Sequence, residues 1–217
     1  MNRKLFLVGL PVVAGMAVAV GALLYVSGKT QPSTQAVERN RASLVQFYSP
    51  TIGNPEAKVH IVEFIDPACE TCATFYPYVK QIMAANPDKV RLTLRLVPFH
   101  KGSDYVVKLL EAARKQGKFW PALEALLANQ SQWVRNHTVL PEFAWKPLEG
   151  LGLNLDQMKV DMASPEIAQR IEQELNDAKA LKVTQTPEYF VNGRPLPSFG
   201  LEQLQALVRD ELRAAYR

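Results

Sequence analysis

A β-rich run that leads directly into a pair of cysteines is the feature that most constrains how this chain can fold. Residues 58–65 are mostly apolar and β-branched, which is typical of a strand buried in a sheet. Asp66-Pro67 breaks this run, and apolar positions at three- and four-residue steps then predict a helix over about 69–86. Because a second β-rich run occupies 90–97, the pattern predicts a strand–helix–strand unit with a right-handed crossover and parallel strands.

The remaining pattern predicts a block of helices and then a second, smaller set of strands. Between about 101 and 182 we expect five helices and no strand. A strand signal returns at 188–191, and Asn192-Gly193 follows it as a hairpin turn, because both central residues of such turns need positive φ. With a closing amphipathic helix over 201–216, the predicted fold is α/β: βαβ, an all-helical insertion, and then ββα.

Two details of the insertion are also predicted. Ser103 is expected to cap its first helix, since a serine side chain accepts hydrogen bonds from the first turn. In its last helix, Ile167, Ile171 and Leu175 are expected to form the buried stripe.

The amino terminus predicts export from the cytoplasm. Leu5–Val26 is a stretch of 22 residues without a charge, and Arg3 and Lys4 precede it. A spanning helix needs about 20 apolar residues, whereas the core of a cleavable signal peptide has about 7–15. The length therefore favours a retained signal anchor, a single transmembrane helix within residues 1–28.

A cleaved signal peptide stays the alternative, since small residues in this segment, Ala17 and Ala19, suit a signal peptidase. The positive charges at the amino terminus hold that end in the cytoplasm in either case. We therefore expect a single-pass protein of the bacterial inner membrane, with a polar tether over 29–50. A domain over 51–217 would face the periplasm, or another extracytoplasmic space, where disulfides persist.

Composition excludes some functions for the chain. Of its 217 residues, 47% are apolar, which is enough for a sizeable core. The net charge is +4, and basic residues alternate with acidic ones rather than forming a run. No nucleic-acid partner is predicted from this pattern.

The only two cysteines, Cys69 and Cys72, have the spacing of a redox pair. Unpaired N–H groups at the start of a helix favour a thiolate at Cys69, and a thiolate is the form that attacks disulfides. Cys72, one turn further in, is placed to resolve a mixed disulfide. A purely structural bridge is disfavoured, because closing a loop of four residues stabilises a protein by only about 2 kcal/mol.

A metal site is not predicted. Zinc usually takes four ligands, and the three histidines of the chain, His60, His100 and His137, lie at no useful spacing from the cysteines. We therefore expect neither a metal nor a cofactor besides the redox-active disulfide itself. Binding of Cu(I) by the two thiols stays an alternative.

Several separated motifs resemble the DsbA-like branch of the thioredoxin superfamily, and together they span roughly 52–217. The residues that carry the resemblance are Val62-Glu63-Phe64, Asp66-Pro67 before the cysteines, Pro77 in the helix, the segment from Gln116 to Trp120, and Thr186-Pro187 ahead of Tyr189–Gly193. The resemblance implies a thioredoxin fold and a protein disulfide oxidoreductase. It also implies that Pro187 follows a cis peptide bond and packs against the dithiol.

The resemblance further implies roles for the site residues. Cys69 would be the nucleophile and Cys72 the resolving thiol, while Glu63 would be a buried acid that takes a proton from Cys72. Thr186, Glu70 and Thr71 would contact the substrate.

His100 is expected to be a structural or surface residue rather than a catalytic one. It follows the second predicted strand, near the start of the insertion.

The dipeptide between the cysteines departs from the resemblance, because strongly oxidising relatives carry Pro-His where this chain has Glu70 and Thr71. A negative charge beside Cys69 opposes a low pKa. We therefore expect a Cys69 pKa above that of strong oxidases, and a more reducing potential. Oxidation of substrates is the expected direction. The alternatives are a reductase or isomerase, a copper- or thiol-binding module, and an interaction scaffold.

The resemblance also implies partners. The substrates would be exported proteins that contain cysteines. A membrane redox partner, either a quinone-linked thiol oxidase or a thiol reductant, would recycle the dithiol. The predicted tether is too short for a separate dimerisation domain, so a monomer is expected.

Overall fold

The structure is a computed structural model that describes residues 44–217. Its strands are β1 Thr51–Ile52, β2 Val59–Ile65, β3 Val90–Leu96, β4 Val134–Arg135, β5 Thr138–Val139, β6 Glu188–Val191 and β7 Arg194–Pro195. Its α-helices are α1 Glu70–Ala84, α2 Ser103–Lys115, α3 Phe119–Ala128, α4 Gln130–Trp133, α5 Leu155–Met162, α6 Pro165–Ala180 and α7 Leu201–Ala215. Short 3₁₀ turns occupy Pro141–Phe143 and Lys146–Leu148.

Five of these strands form one mixed sheet in the order β1-β3-β2-β6-β7. β2 and β3 are parallel, in a register that runs from Val59 opposite Val90 to Ile65 opposite Leu96. All other pairs in the sheet are antiparallel. The predicted strand–helix–strand unit with parallel strands is confirmed, and β2 carries the active-site loop at its carboxyl end.

Alternation along β2 builds a separate apolar cluster on each face of the sheet. Ile61 and Ile65 pack in one cluster with Cys72 and other residues of α1 and α7. Val62 and Phe64 pack in a second cluster, which includes residues of α6 and β6. The face that holds Ile61 and Ile65 therefore supports the dithiol.

The insertion between β3 and β6 is mainly helical, but the prediction that it is all-helical is wrong. β4 and β5 form a small antiparallel hairpin, with Val134 opposite Val139. Its turn residues, Asn136 and His137, both have positive φ, at 49° and 58°. β-branched residues on each side of a turn that begins with asparagine were the signal for this hairpin.

Two details of the insertion also differ from prediction. Ser103 lies inside α2 rather than capping it, and Gly102, with φ 78°, is the N-cap residue. In α6, Leu175 is 38% exposed, whereas Glu174 is 5% exposed. Glu174 takes the inward position because Arg95 of β3 lies beneath it, with 2.6 Å between Arg95 Nε and Glu174 Oε2.

The predicted transmembrane helix and most of the predicted tether lie outside the described residues. Within 44–217, no helix combines the length and apolarity that crossing a membrane requires. Residues 44–50 are the end of the predicted tether, and Leu44 packs against the domain while Phe47 is exposed. Leu44 is 1% exposed within the Phe64 cluster, and its carbonyl accepts a hydrogen bond from Arg95 Nη1 at 2.7 Å.

Candidate active site at the start of the first helix

Cys69 is the N-cap residue of α1. Its backbone is extended, with φ −79° and ψ 116°, and its Sγ accepts a hydrogen bond from the backbone N–H of Cys72 at 3.4 Å. The side chain therefore takes the position in which serine or aspartate usually receives a free N–H of the first turn. A sulfur in this position lies at the positive end of the helix dipole, which favours its thiolate form.

The two thiols have pKa values that differ in opposite directions from the usual value. The hydrogen bond from the Cys72 thiol is the main cause that lowers the pKa of Cys69 to about 6, against an opposing effect of burial. The hydrogen bond from the backbone N–H of Cys72 and the charge of His100 lower it further. Burial raises the pKa of Cys72, and its hydrogen bond to Cys69 and the charge of Glu63 add to that rise. One sulfur is thus suited to attack and the other to stay protonated until it is needed.

The loop before β6 closes the site from the side opposite the helix. The Thr186–Pro187 peptide bond is cis. The Cys69 thiol donates to the carbonyl oxygen of Thr186 at 3.2 Å. Thr186 and Pro187 therefore lie beside the dithiol, as the resemblance implies.

Glu63 is a fully buried carboxylic acid beneath the dithiol. It lies opposite Tyr189 in the β2–β6 register, and the Tyr189 hydroxyl donates to Glu63 Oε1 at 3.2 Å. The other oxygen, Oε2, has no hydrogen bond among the described residues. Burial raises the pKa of Glu63 to about 8, and the hydrogen bond from Tyr189 opposes this rise. An acid with that pKa can exchange a proton at neutral pH.

Comparison with known proteins agrees with this geometry. A family model described as thioredoxin matches residues 46–210. The chain belongs to the thioredoxin family. A solved thioredoxin-like oxidoreductase from Silicibacter pomeroyi DSS-3 has 32% sequence identity and a TM-score of 0.69, over 81% of this chain and 98% of that one. The expected thioredoxin fold and the resemblance to this superfamily are thereby confirmed.

Two curated relatives differ in how much of their length this member of the thioredoxin family spans. A "Na(+)/H(+) antiporter NhaA" from Herminiimonas arsenicoxydans is 31% identical over 66% of the chain, but the match covers 22% of the antiporter. The chain thus spans about a fifth of that relative. A "Probable disulfide bond formation protein D" from Bacillus cereus is 24% identical over 98% of the chain and 99% of its own length.

Asp66 holds the active-site loop of this thioredoxin-family domain, a role that the sequence did not reveal. It is fully buried, and its carboxylate accepts hydrogen bonds from the backbone N–H groups of Ala68, Phe99 and His100 at 2.7–2.8 Å. It also binds His100 Nδ1 at 2.7 Å and the Ser103 hydroxyl. In the sequence Asp66 was a strand break and part of the DsbA-like motif, and its partners other than Ala68 lie 33 to 37 residues away.

Gln130 of α4 also supports the loop and was not predicted. Its Nε2 donates to the carbonyl oxygens of Pro67 at 2.7 Å and Cys69 at 3.0 Å. A glutamine in a helical stretch gives no sequence signal for such a contact. The insertion therefore holds the backbone on both sides of Ala68, next to the Cys69 thiol.

The residues between the cysteines point outward. Glu70 and Thr71 are both exposed at the first turn of α1, where a substrate could reach them. Glu70 Oε2 lies 2.9 Å from His137 Nδ1 of the hairpin turn. The ring of His137 stacks on that of His100, with 5.6 Å between centroids.

Among residues 44–217, these three side chains form a group that could hold a metal ion. One ligand atom each from Glu70, His100 and His137 lie within 4.8 Å of one another. Sequence spacing predicted no metal site, because the three residues come from distant segments. His100, expected to be a structural or surface residue, is part-buried between Asp66 and this cluster.

Pro77 was the remaining motif residue in the helix. It lies inside α1 at an exposed position, and the helix continues from Glu70 to Ala84 around it.

Proposed function

We propose that the chain is a thiol–disulfide oxidoreductase of DsbA type that uses Cys69 as its nucleophile and Cys72 as its resolving thiol. The single observation that carries this proposal is the position of the Cys69 sulfur. It caps α1 through the N–H of Cys72 at 3.4 Å and touches the Thr186 carbonyl at 3.2 Å, on the cis-proline side. Cys69 is 5% exposed and Cys72 is 0% exposed, which supports attack at Cys69 first.

The exchange proceeds through a mixed disulfide. In the oxidising direction, a substrate thiolate attacks the Cys69 sulfur of the Cys69–Cys72 disulfide, and Cys72 leaves as a thiolate that takes up a proton. A second thiolate of the same substrate then attacks the substrate sulfur of the mixed disulfide. This step forms the substrate disulfide and releases Cys69 as a thiolate. Two electrons pass from the substrate thiols to the enzyme disulfide.

Glu63 is suited to manage the proton on Cys72. Its pKa of about 8 lets it donate a proton to the leaving Cys72 thiolate or accept one in the reverse reaction. The unbonded Oε2 atom is available for that transfer. Thr186 would align a substrate strand beside the dithiol. Pro187 would pack against the dithiol on the same side.

We propose net oxidation as the working direction. A pKa of about 6 at Cys69 stabilises the reduced form and so makes the disulfide an oxidant. The strongest oxidases of this superfamily have a nucleophile pKa of about 3.5, so this chain should be milder. A reductase or an isomerase, the two alternatives, would differ from the proposed oxidase in the reduction potential of the Cys69–Cys72 pair.

The proposed setting is the periplasmic face of the inner membrane. The sequence argument for a signal anchor supports this placement, as does the full-length match to the Bacillus cereus relative. The proposed substrates are exported proteins with cysteines. The proposed recycling partner is a quinone-linked thiol oxidase or a thiol reductant in the membrane, and the proposed state is a monomer.

Trapping tests the nucleophile and the resolving thiol together. The Cys72→Ala variant of the full-length chain should accumulate mixed disulfides with exported proteins, detected as adducts that reductant removes. The matched Cys69→Ala variant should accumulate none. Equal adducts from both variants, or none from Cys72→Ala, would contradict the proposal.

A redox titration of the full-length chain separates the directions. A potential clearly above about −270 mV supports an oxidase, and a potential at or below that of thioredoxin supports a reductase. Stoichiometric retention of Cu(I) without reduction of insulin or refolding of ribonuclease would favour the metal-binding alternative.

A further inference from the structure

Glu70, His100 and His137, which we call the Glu-His-His cluster, come from three separate segments. Glu70 is the first residue of α1, His100 follows β3, and His137 is in the turn between β4 and β5. Ligand atoms from all three lie within 4.8 Å of one another. The tertiary fold therefore brings two imidazoles and a carboxylate together from three parts of the chain that are distant in sequence.

A buried carboxylate orients one of these imidazoles. His100 Nδ1 lies 2.7 Å from Asp66 Oδ2, and the same oxygen accepts the backbone N–H of His100 at 2.7 Å. Asp66 is fully buried, so this contact fixes the ring. Metal-binding histidines are usually held in this way, by a carboxylate on the nitrogen that does not bind the metal, which leaves the lone pair of the other nitrogen available.

The other two members are accessible from solvent. The side chains of His137 and Glu70 are 72% and 51% exposed, and they lie 2.9 Å apart. An exposed contact of this kind contributes little to folding stability, so stability alone gives little reason for the arrangement. The open side leaves room for an ion to enter and to keep a water molecule.

We propose that the Glu-His-His cluster is a Zn²⁺ site beside the dithiol. Two histidines and one glutamate are a known zinc ligand set with an open fourth position. Imidazole and carboxylate donors also suit a borderline divalent ion better than Mg²⁺ or Ca²⁺. The site is separate from the thiols and does not depend on the proposed exchange activity.

Zinc binding to the oxidised full-length chain tests this proposal. Closing the Cys69–Cys72 disulfide removes both thiols as ligands, so binding reports on the cluster alone. Titration of Zn²⁺ against a chromophoric chelator should give one site per chain. His137→Ala should weaken that site at least about 10-fold, since removal of even an outer-shell partner weakens metal binding by about 10–100-fold.

Matched variants separate the cluster from general surface binding. His60→Gln changes the histidine on β2, away from the cluster, and should leave the affinity unchanged. Glu70→Gln should weaken binding, whereas Glu202→Gln should not, although Glu202 is also an acid in the first turn of a helix. Thermal unfolding without metal would verify that each variant is folded.

Co²⁺ provides a second readout, because its visible absorption reports on the coordinating atoms. A chain that binds less than one Zn²⁺, or a His137→Ala variant that binds as tightly as His60→Gln, would overturn the proposal. Loss of the Co²⁺ absorption in Glu70→Gln but not in Glu202→Gln would support it.

Discussion

A glutamate is buried on each face of the same sheet, and the two glutamates differ in the groups that surround their charge. Within residues 44–217, Glu63 beneath the dithiol has one hydrogen bond, from Tyr189, and no cation among the groups that shift its pKa. On the other face, Glu174 lies 2.6 Å from the buried guanidinium of Arg95, which also lies 2.5 Å from Asp177 Oδ2. Burial raises both pKa values, to about 8 for Glu63 and about 7 for Glu174, where Arg95 opposes the rise.

The difference separates a carboxylate that is paired with a cation from one that burial holds toward its protonated form. The Arg95 network joins β3 to α6 and to the carbonyl of Leu44, and its role is to hold those segments together. Glu63 stabilises nothing comparable, because a buried carboxylate with one neutral partner favours its protonated form. A carboxyl group whose ionised form is disfavoured in the folded state near neutral pH is suited to proton transfer.

Removing the cation from the paired face should produce the largest loss of stability. Arg95→Met leaves Glu174 and Asp177 without their buried partner, so unfolding by urea at pH 8 should show a loss of about 3–5 kcal/mol. Arg213→Met is the matched control, since Arg213 is 76% exposed and 3.8 Å from Asp210. A loss below 1 kcal/mol for Arg95→Met would break the distinction between the two faces.

Removing the charge of Glu63 should change the folding stability in the opposite direction, toward a more stable chain. Because the folded-state pKa of Glu63 is raised from 4.5 to about 8, stability is lost as the pH rises from about 4.5 to about 8 and is constant above that. Glu63→Gln should abolish that loss and so stabilise the chain at pH 9, by at most about 5 kcal/mol for a shift from 4.5 to about 8. Urea unfolding at pH 5, 7 and 9 measures the slope.

Glu56→Gln is the control for that series, because Glu56 is exposed and should leave the pH slope unchanged. A Glu63→Gln variant with the slope of the unmodified chain would show that Glu63 stays ionised in the fold.

The smallest of the three stability effects should come from the neutral contacts that hold the active-site loop. Gln130→Ala removes the side-chain donor from the buried carbonyls of Pro67 and Cys69. In the part of the chain that the structure describes, only Cys69 keeps another donor, the N–H of Ala73, so stability should fall by about 2 kcal/mol. Gln132→Ala, two residues away on the surface, should lower it by less than 0.5 kcal/mol, about the limit for surface substitutions. Equal losses would mean that the insertion does not support the loop.

Sequence reasoning located the parts of this site that depend on local order. Cys69 and Cys72 follow a strand and begin a helix, and the parallel pairing of β2 and β3 followed from the helix between them. These two features are encoded in neighbouring residues. The position of Thr186-Pro187 beside the dithiol was instead implied by the resemblance to the DsbA-like branch.

Long-range polar contacts could not be predicted in this way. Asp66, Gln130 and His137 act through partners 34 to 67 positions away in the chain, and no local pattern indicates such partners. Glu174 was missed for a related reason. An apolar stripe predicted Leu175 inside, but the buried charge of Arg95 requires a carboxylate at the neighbouring position.

The central claim is that the two thiols are chemically unequal, and alkylation tests it most directly. The reduced full-length chain should be treated at pH 7 with less than one equivalent of iodoacetamide, and the modified cysteine identified by peptide mapping. The lowered pKa of Cys69 and the raised pKa of Cys72 predict modification almost entirely at Cys69. Modification of Cys72 first, or of both thiols at equal rates, would contradict the account.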